Sequence, residues 1–171
     1  MAAGEGTDSN PRNGSFVSRR CLLATMAASF LAPASRVLAS TTGEVVVHKD
    51  RNCDCCQHWV AHLRSAAFEV RTIDDPELAK LKQSLGVRPE LASCHTAQVS
   101  GYVIEGHVPA EAIRRLLAER PAAIGLAVPG MPLGSPGMEV PGREPDTFDV
   151  LLFDASGSKV FARYRGAVEL R

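Results

Sequence analysis

The chain has 171 residues, a formal net charge of zero and 45% apolar residues. That neutral balance offers no basic face to a nucleic acid, and no apolar run after the N-terminal one suggests a membrane; a small ligand or an ion fits it better than a polyanion. Five cysteines direct attention to thiol chemistry.

The first forty or so residues do not read as part of the fold. Ser18-Arg19-Arg20 opens a short apolar run, Cys21 to Pro33, and small residues follow up to Val37-Leu38-Ala39. A positive start, a short apolar centre and a small-residue site make a secretory signal peptide. The arginine pair followed by Leu22-Leu23 resembles a twin-arginine signal. Cleavage is expected after Ala39, leaving residues 40–171 as one domain and residues 1–39 as the signal. The alternative, an uncleaved anchor, would need an apolar run of ~20 residues, longer than this one. Export predicts a periplasmic protein, free of the membrane once cleaved.

Within the mature part, Glu44 to His48 holds three consecutive valines, a short buried strand. The cluster Cys53-Asp54-Cys55-Cys56 follows at once. A helix is predicted over Gln57 to Ala67, with Trp59, Leu63 and Ala66 on one face, then a second strand over Phe68 to Ile73. Asp75-Pro76 marks a helix start, Asp as N-cap and Pro first; Leu78, Leu81 and Leu85 form its stripe and Gly86 ends it. A third strand region runs from Thr96 to Ile104, bent near Ser100-Gly101. Pro109 opens a helix that Pro121 stops, with Ile113, Leu116 and Leu117 facing the core. Val128 to Pro145 is a proline- and glycine-rich loop carrying Met131 and Met138. Phe148 to Phe153 and Lys159 to Tyr164 form a hairpin around Asp154-Ala155-Ser156-Gly157.

This order, β-α-β-α-β-β-α, predicts an α/β fold: a thioredoxin-like mixed sheet flanked by helices, with the Pro/Gly-rich loop and a C-terminal hairpin. In such a fold the loop before the third strand lies beside the start of the first helix. Ser93-Cys94-His95 should therefore meet the cysteine cluster in space.

Cys21 leaves with the signal, so the mature chain keeps Cys53, Cys55, Cys56 and Cys94. Three of them sit too close together to close a long loop, so a structural staple gains little there. Adjacent Cys55 and Cys56 pair poorly, because their side chains diverge. A disulfide with spare thiols, including one bridge to Cys94, stays open. Thiols at a helix N-terminus are expected to be acidified, and thiolate serves both metal binding and disulfide exchange.

Soft sulfur ligands select Cu(I), zinc or iron–sulfur clusters. The spacing is not that of zinc fingers or of iron–sulfur sites. Crowded Cys-x-Cys-Cys favours thiolates bridging several Cu(I) ions. His95, beside Cys94, is a candidate nitrogen ligand. Met131 and Met138 are candidate thioether ligands, or else core residues. His58 and His62, four apart on one helix face, read as a solvated face before a Cu(II) or zinc pair. His107 is expected to cap or pack near the third helix, and His48 has no assigned role.

The string Cys53-Asp54-Cys55-Cys56-Gln57-His58-Trp59-Val60 resembles the signature of the periplasmic CopG-type copper-resistance family. Leu91 to Ala97 and Gly101 to Pro109 resemble its second block, and Gly125 to Pro132 with Gly134 to Glu139 its third. The resemblance implies a thioredoxin-like fold, export, and copper binding through Cys53, Cys55, Cys56 and Cys94. The expected function is a non-enzymatic Cu(I) protein, without catalytic residues, that sequesters copper or hands it to another periplasmic copper protein. Two alternatives stand beside it. One is a thiol-disulfide or copper-dependent redox enzyme, against which Ser93-Cys94 offers no proline where such enzymes dock substrate. The other is a zinc-stabilised structural domain.

Overall fold

In a computed structural model of the chain, residues 43–170 are described here. The predicted signal, residues 1–39, lies outside them. The elements are β1 (Val45–Lys49), α1 (Asp54–Ser65), β2 (Val70–Asp74), α2 (Leu78–Ser84), a 3-10 turn at Pro89–Leu91, β3 (His95–Val99), β4 (Tyr102–Glu105), α3 (Ala110–Glu119), β5 (Gly125–Ala127), β6 (Thr147–Phe153), β7 (Ser158–Arg165) and β8 (Val168–Leu170). All eight strands form one mixed sheet in the order β2-β1-β3-β4-β5-β6-β7-β8. β1 runs parallel to β2 and antiparallel to β3, while β4 is antiparallel to β3 and parallel to β5. The fold is α/β, as expected.

Strand alternation sorts side chains to two faces. One face carries Val45, Val47, Ala97, Val99, Ile104 and Leu126, packed with Trp59, Val60 and Leu63 of α1 and Ile113 and Leu116 of α3. The other carries Val103, Ala127 and Phe153, packed with Val87, Leu91 and Leu85. The apolar positions of α1 recur as Cys56, Trp59, Val60 and Leu63, so the helix must bury its first turn as well as its middle.

Several boundaries differ from the expectation. α1 starts at Asp54 rather than Gln57, with Cys53 as its N-cap residue, so Cys55 and Cys56 are helical. α2 starts at Leu78, because the Asp75 carboxylate accepts the Glu77 amide and holds Asp75-Pro76 in a turn. Its leucine stripe is only half-buried, and none of its residues is buried. The bend at Ser100-Gly101 is a two-residue hairpin turn with both residues at positive φ, 49° and 87°. β5 and β8 were not anticipated; three residues each is too short for a periodic signal. β5 requires its glycine, since a Cβ on Gly125 would lie 1.7 Å from the Val103 carbonyl oxygen.

Candidate metal centre

The chain turns from β1 straight into α1, and β1 pairs directly with β3. The head of α1 and the residue before β3 are thus brought to one end of the sheet. Cys94 Sγ lies 3.7 Å from Cys55 Sγ and 3.5 Å from Cys56 Sγ, and Cys55 Sγ is 3.6 Å from Cys53 Sγ. The expected meeting of the cluster with Cys94 is present.

Cys53 and Cys56 are joined as a disulfide with Cα atoms 5.3 Å apart, while Cys55 and Cys94 are free thiols. The possibility left open for the cluster, a disulfide plus spare thiols, is therefore the state of this structure. Its pairing is within the cluster, not to Cys94. Two residues between partners let the side chains converge across the first helical turn, which adjacent cysteines cannot do. The bridge closes a loop too short to stabilise the fold much. Once reduced, all four sulfurs sit close enough to share a metal, within 4.8 Å of one another.

A second group shares Cys94. His107 Nε2 lies 3.1 Å and His95 Nδ1 3.3 Å from Cys94 Sγ, and the three ligand atoms are within 4.8 Å of one another. His107, expected to cap or pack near α3, is buried just before that helix and also faces the site, a role the sequence reading did not assign. Its Nδ1 donates to the Pro136 carbonyl at 2.8 Å, which fixes the tautomer and leaves the Nε2 lone pair towards the sulfur. A signal for this was available in the sequence. The two-residue turn pairs Val99 with Tyr102 and Thr96 with Glu105, and the same count carried outwards sets Cys94 opposite His107.

His95 is fully buried, its ring 4.3 Å from the Trp59 ring and 5.0 Å from that of His107, and its Nε2 has no hydrogen-bond partner. Burial, then His107 and Lys82, hold the His95 pKa well below the usual value, and burial lowers that of His107. Both imidazoles are neutral at neutral pH and can act as ligands. Cys94 behaves otherwise than the helix-end argument suggested. It stands before a strand, and burial, followed by the nearby Cys55, pushes its thiol up to about 12. A metal binding there must displace the proton.

The Pro/Gly-rich loop braces the site by its backbone. A Cβ on Gly137 would sit 2.6 Å from Trp59 N and 2.9 Å from the Cys55 carbonyl oxygen, so the loop lies directly on the first turn of α1. Ser93 Oγ donates to the Gly130 carbonyl, and Gly130 N donates to Ala92 O. Met131, 54% exposed, and half-buried Met138 thus flank the two tie points. His58 is exposed. His62 is turned elsewhere: its Nε2 accepts the Ala110 amide at 3.2 Å, capping α3 in trans. His48 Nδ1 bonds the Asp75 carboxylate at 2.9 Å.

Sulfur and neutral imidazole around one shared thiol form a donor set for soft cations. Two solved structures carry the same arrangement of chain. Form 1 of a copper resistance protein copG matches at 42% identity with a TM-score of 0.68, over 73% of this chain and 99% of that one. The chain belongs to the CopG family. Form 2 of copG matches at 43% identity with a TM-score of 0.67, over 71% of this chain and 97% of that one. Residues 91–138 also match the family described as "Protein of unknown function, DUF411", which spans Cys94, His95, His107 and the bracing loop but not the α1 cysteines. No curated protein matches. Among the described residues, no helix is long and apolar enough to cross a membrane.

Proposed function

We propose that this protein binds Cu(I) in the periplasm and sequesters it or passes it to another copper protein during copper stress. One observation carries the reading: the Cys94 sulfur lies within 3.7 Å of Cys55 and Cys56 on one side and of His95 and His107 on the other. A thiolate so placed can bridge metals held by the two groups, so a polynuclear centre is the natural stoichiometry. Cys53, Cys55, Cys56, Cys94, His95 and His107 are the proposed ligands, with Met131 and Met138 as outer thioethers that receive or release the ion. The relatives' designation as copper resistance proteins supports copper as the cation. The twin-arginine-like N-terminus supports export, and the β2-β1-β3-β4 order with its intervening helices supports a thioredoxin-like ancestry for the frame. The test is metal analysis of the reduced chain after anaerobic Cu(I) loading and desalting. Several copper ions per chain with thiolate-copper luminescence are expected; one zinc and no retained copper would end the proposal.

A second reading rests on the Cys53–Cys56 disulfide at the head of α1. A dithiol substrate attacking that bridge would form a mixed disulfide, then leave as its own disulfide while Cys53 and Cys56 become thiols. Insulin reduction at the rate of a genuine oxidoreductase, unaffected by Cys94→Ser, would favour it.

A further inference from the structure

On the sheet face opposite His95 lies a buried polar cluster that the ligand set does not use. Glu105, at the end of β4, is fully buried. Its Oε1 accepts the Ser93 backbone amide at 2.6 Å and the Lys82 ammonium at 2.5 Å, and its Oε2 accepts the Thr96 hydroxyl at 2.6 Å. Lys82 Nζ also donates to Thr96 Oγ1 at 2.7 Å. Glu105 and Thr96 are cross-strand partners, so the carboxylate straddles the entry of β3 and grips it on both sides of Cys94-His95. Lys82 comes from α2, a helix with no fully buried residue.

A buried ion pair is a poor way to stabilise a fold, since desolvating both charges offsets their attraction and an apolar pair does as well. It is a good way to fix one backbone position, because a carboxylate accepting several donors has a single satisfying geometry. The Ser93 amide is the residue immediately before the shared thiol. A shift there swings Cys94 Sγ away from both groups of ligands, and metal affinity is sensitive to such outer-shell supports.

We infer that Glu105, tethered by Lys82 and Thr96, is a positioning residue for the metal centre, holding the Ser93–Thr96 segment so that Cys94 stands between the α1 cysteines and the two histidines. The inference rests on the proposed copper reading for its metal readout, but its structural half does not. The experiment compares the purified chain with E105Q, K82M and the double variant K82M/E105L, in which the pair becomes apolar. Metal-free, the reduced double variant orphans the Ser93 amide and the Thr96 hydroxyl, so it is expected to melt modestly below the unsubstituted chain and to lose hydrogen-exchange protection at the Ser93 amide. Its Cu(I) affinity, read against a chromophoric chelator, should fall about 10- to 100-fold with an altered thiolate-copper band. E105Q keeps a carbonyl oxygen for Ser93 and should recover most of the affinity. K82M should fall between.

A double variant that binds copper with unchanged affinity and spectrum overturns the inference, and so does an E105Q chain as weak as the double. If the double variant does not fold, K82M decides: affinity equal to that of the unsubstituted chain overturns it. If the unsubstituted chain takes up no Cu(I), the copper reading fails. Ser93 amide exchange and the alkylation rate of Cys94 in the metal-free chains then decide positioning alone, and no difference between them overturns it.

Discussion

The two ends of the sheet solve opposite problems. At the β6–β7 end, Phe148, Val150, Leu152, Ala162 and Tyr164 are buried apolar positions, and Phe148 stacks on Tyr164 with ring centroids 5.8 Å apart. The charges there stay outside, as Arg163 with Asp149. At the β1–β3 end the core is interrupted by buried His95, Thr96, Glu105 and His107, one nitrogen lacking a partner. Orphaned and charged buried groups cost stability. The β6–β7 end thus uses its buried positions for packing alone, while the β1–β3 end, beside the packing of Val45, Val47, Trp59 and Val99, also bears the cost of the buried polar groups at the candidate site.

The sharpest test separates the two ends by ligand removal. Cys94→Ser takes the shared sulfur from both groups, so it should abolish most copper retention while leaving the metal-free melting temperature nearly unchanged. Cys55→Ser should lower copper per chain less than that, and exposed His58→Ala least. Equal losses for Cys55→Ser and His58→Ala would count against the ligand assignment. Phe148→Ala is the mirror image: a cost of about 3–5 kcal/mol in unfolding free energy, with copper per folded chain unaltered. A Phe148 variant that folds but sheds copper would erase the contrast between the ends.

How much of this was legible follows from which physics the sequence displays. Periodicity exposed α1, α3 and the β6–β7 hairpin, because each buries one long face. The order of elements sufficed to bring Cys94 to the cysteine cluster. The Cys53–Cys56 pairing was obscured by the crowding that made the cluster conspicuous, and placing α1 at Gln57 hid the two-residue separation across a helical turn. His107 escaped because the contact that commits it, to the Pro136 carbonyl, comes from a loop 29 residues further on. The sequence drew attention to the loop's methionines, and the fold adds a second contribution that it did not display, bracing by backbone: Gly137 against α1, Pro136 on His107, Gly130 on Ser93.

That bracing can be tested at an intermediate size of effect. Gly137 has φ +87°, and an added Cβ would collide with Trp59 N and the Cys55 carbonyl. Gly137→Ala should therefore cost about 1–3 kcal/mol for backbone strain alone. It should also weaken copper binding, since the loop must lift and Pro136 with it. Gly142→Ala, at φ +75° with open space around its Cβ, carries the strain without the collision. A destabilised chain with unweakened copper is expected there, and equal copper losses from the two would remove the loop from the site's support.

The smallest effect tests whether the histidines outside the ligand set belong to the frame rather than to the site. His62 joins α1 to α3 by accepting the Ala110 amide, which only a neutral ring can do. Burial lowers its pKa; Glu111 and Glu139 oppose the shift and Arg114 adds to it. The folded chain therefore binds this proton less readily than the unfolded chain. The stabilisation is complete above the unfolded value near 6.5 and is lost as pH falls through the folded one. His62→Ala should cost about 1 kcal/mol at pH 8, the worth of one hydrogen bond. The difference between the two chains should shrink on acidification, measured by denaturant unfolding at a series of pH values. His95 and His107 are depressed as well and give both chains a common acid-sensitive limb, so the subtraction isolates His62. A difference independent of pH from 8 down to 5 would mean that the ring packs rather than caps, and copper per chain should be the same for both at pH 8 in either case.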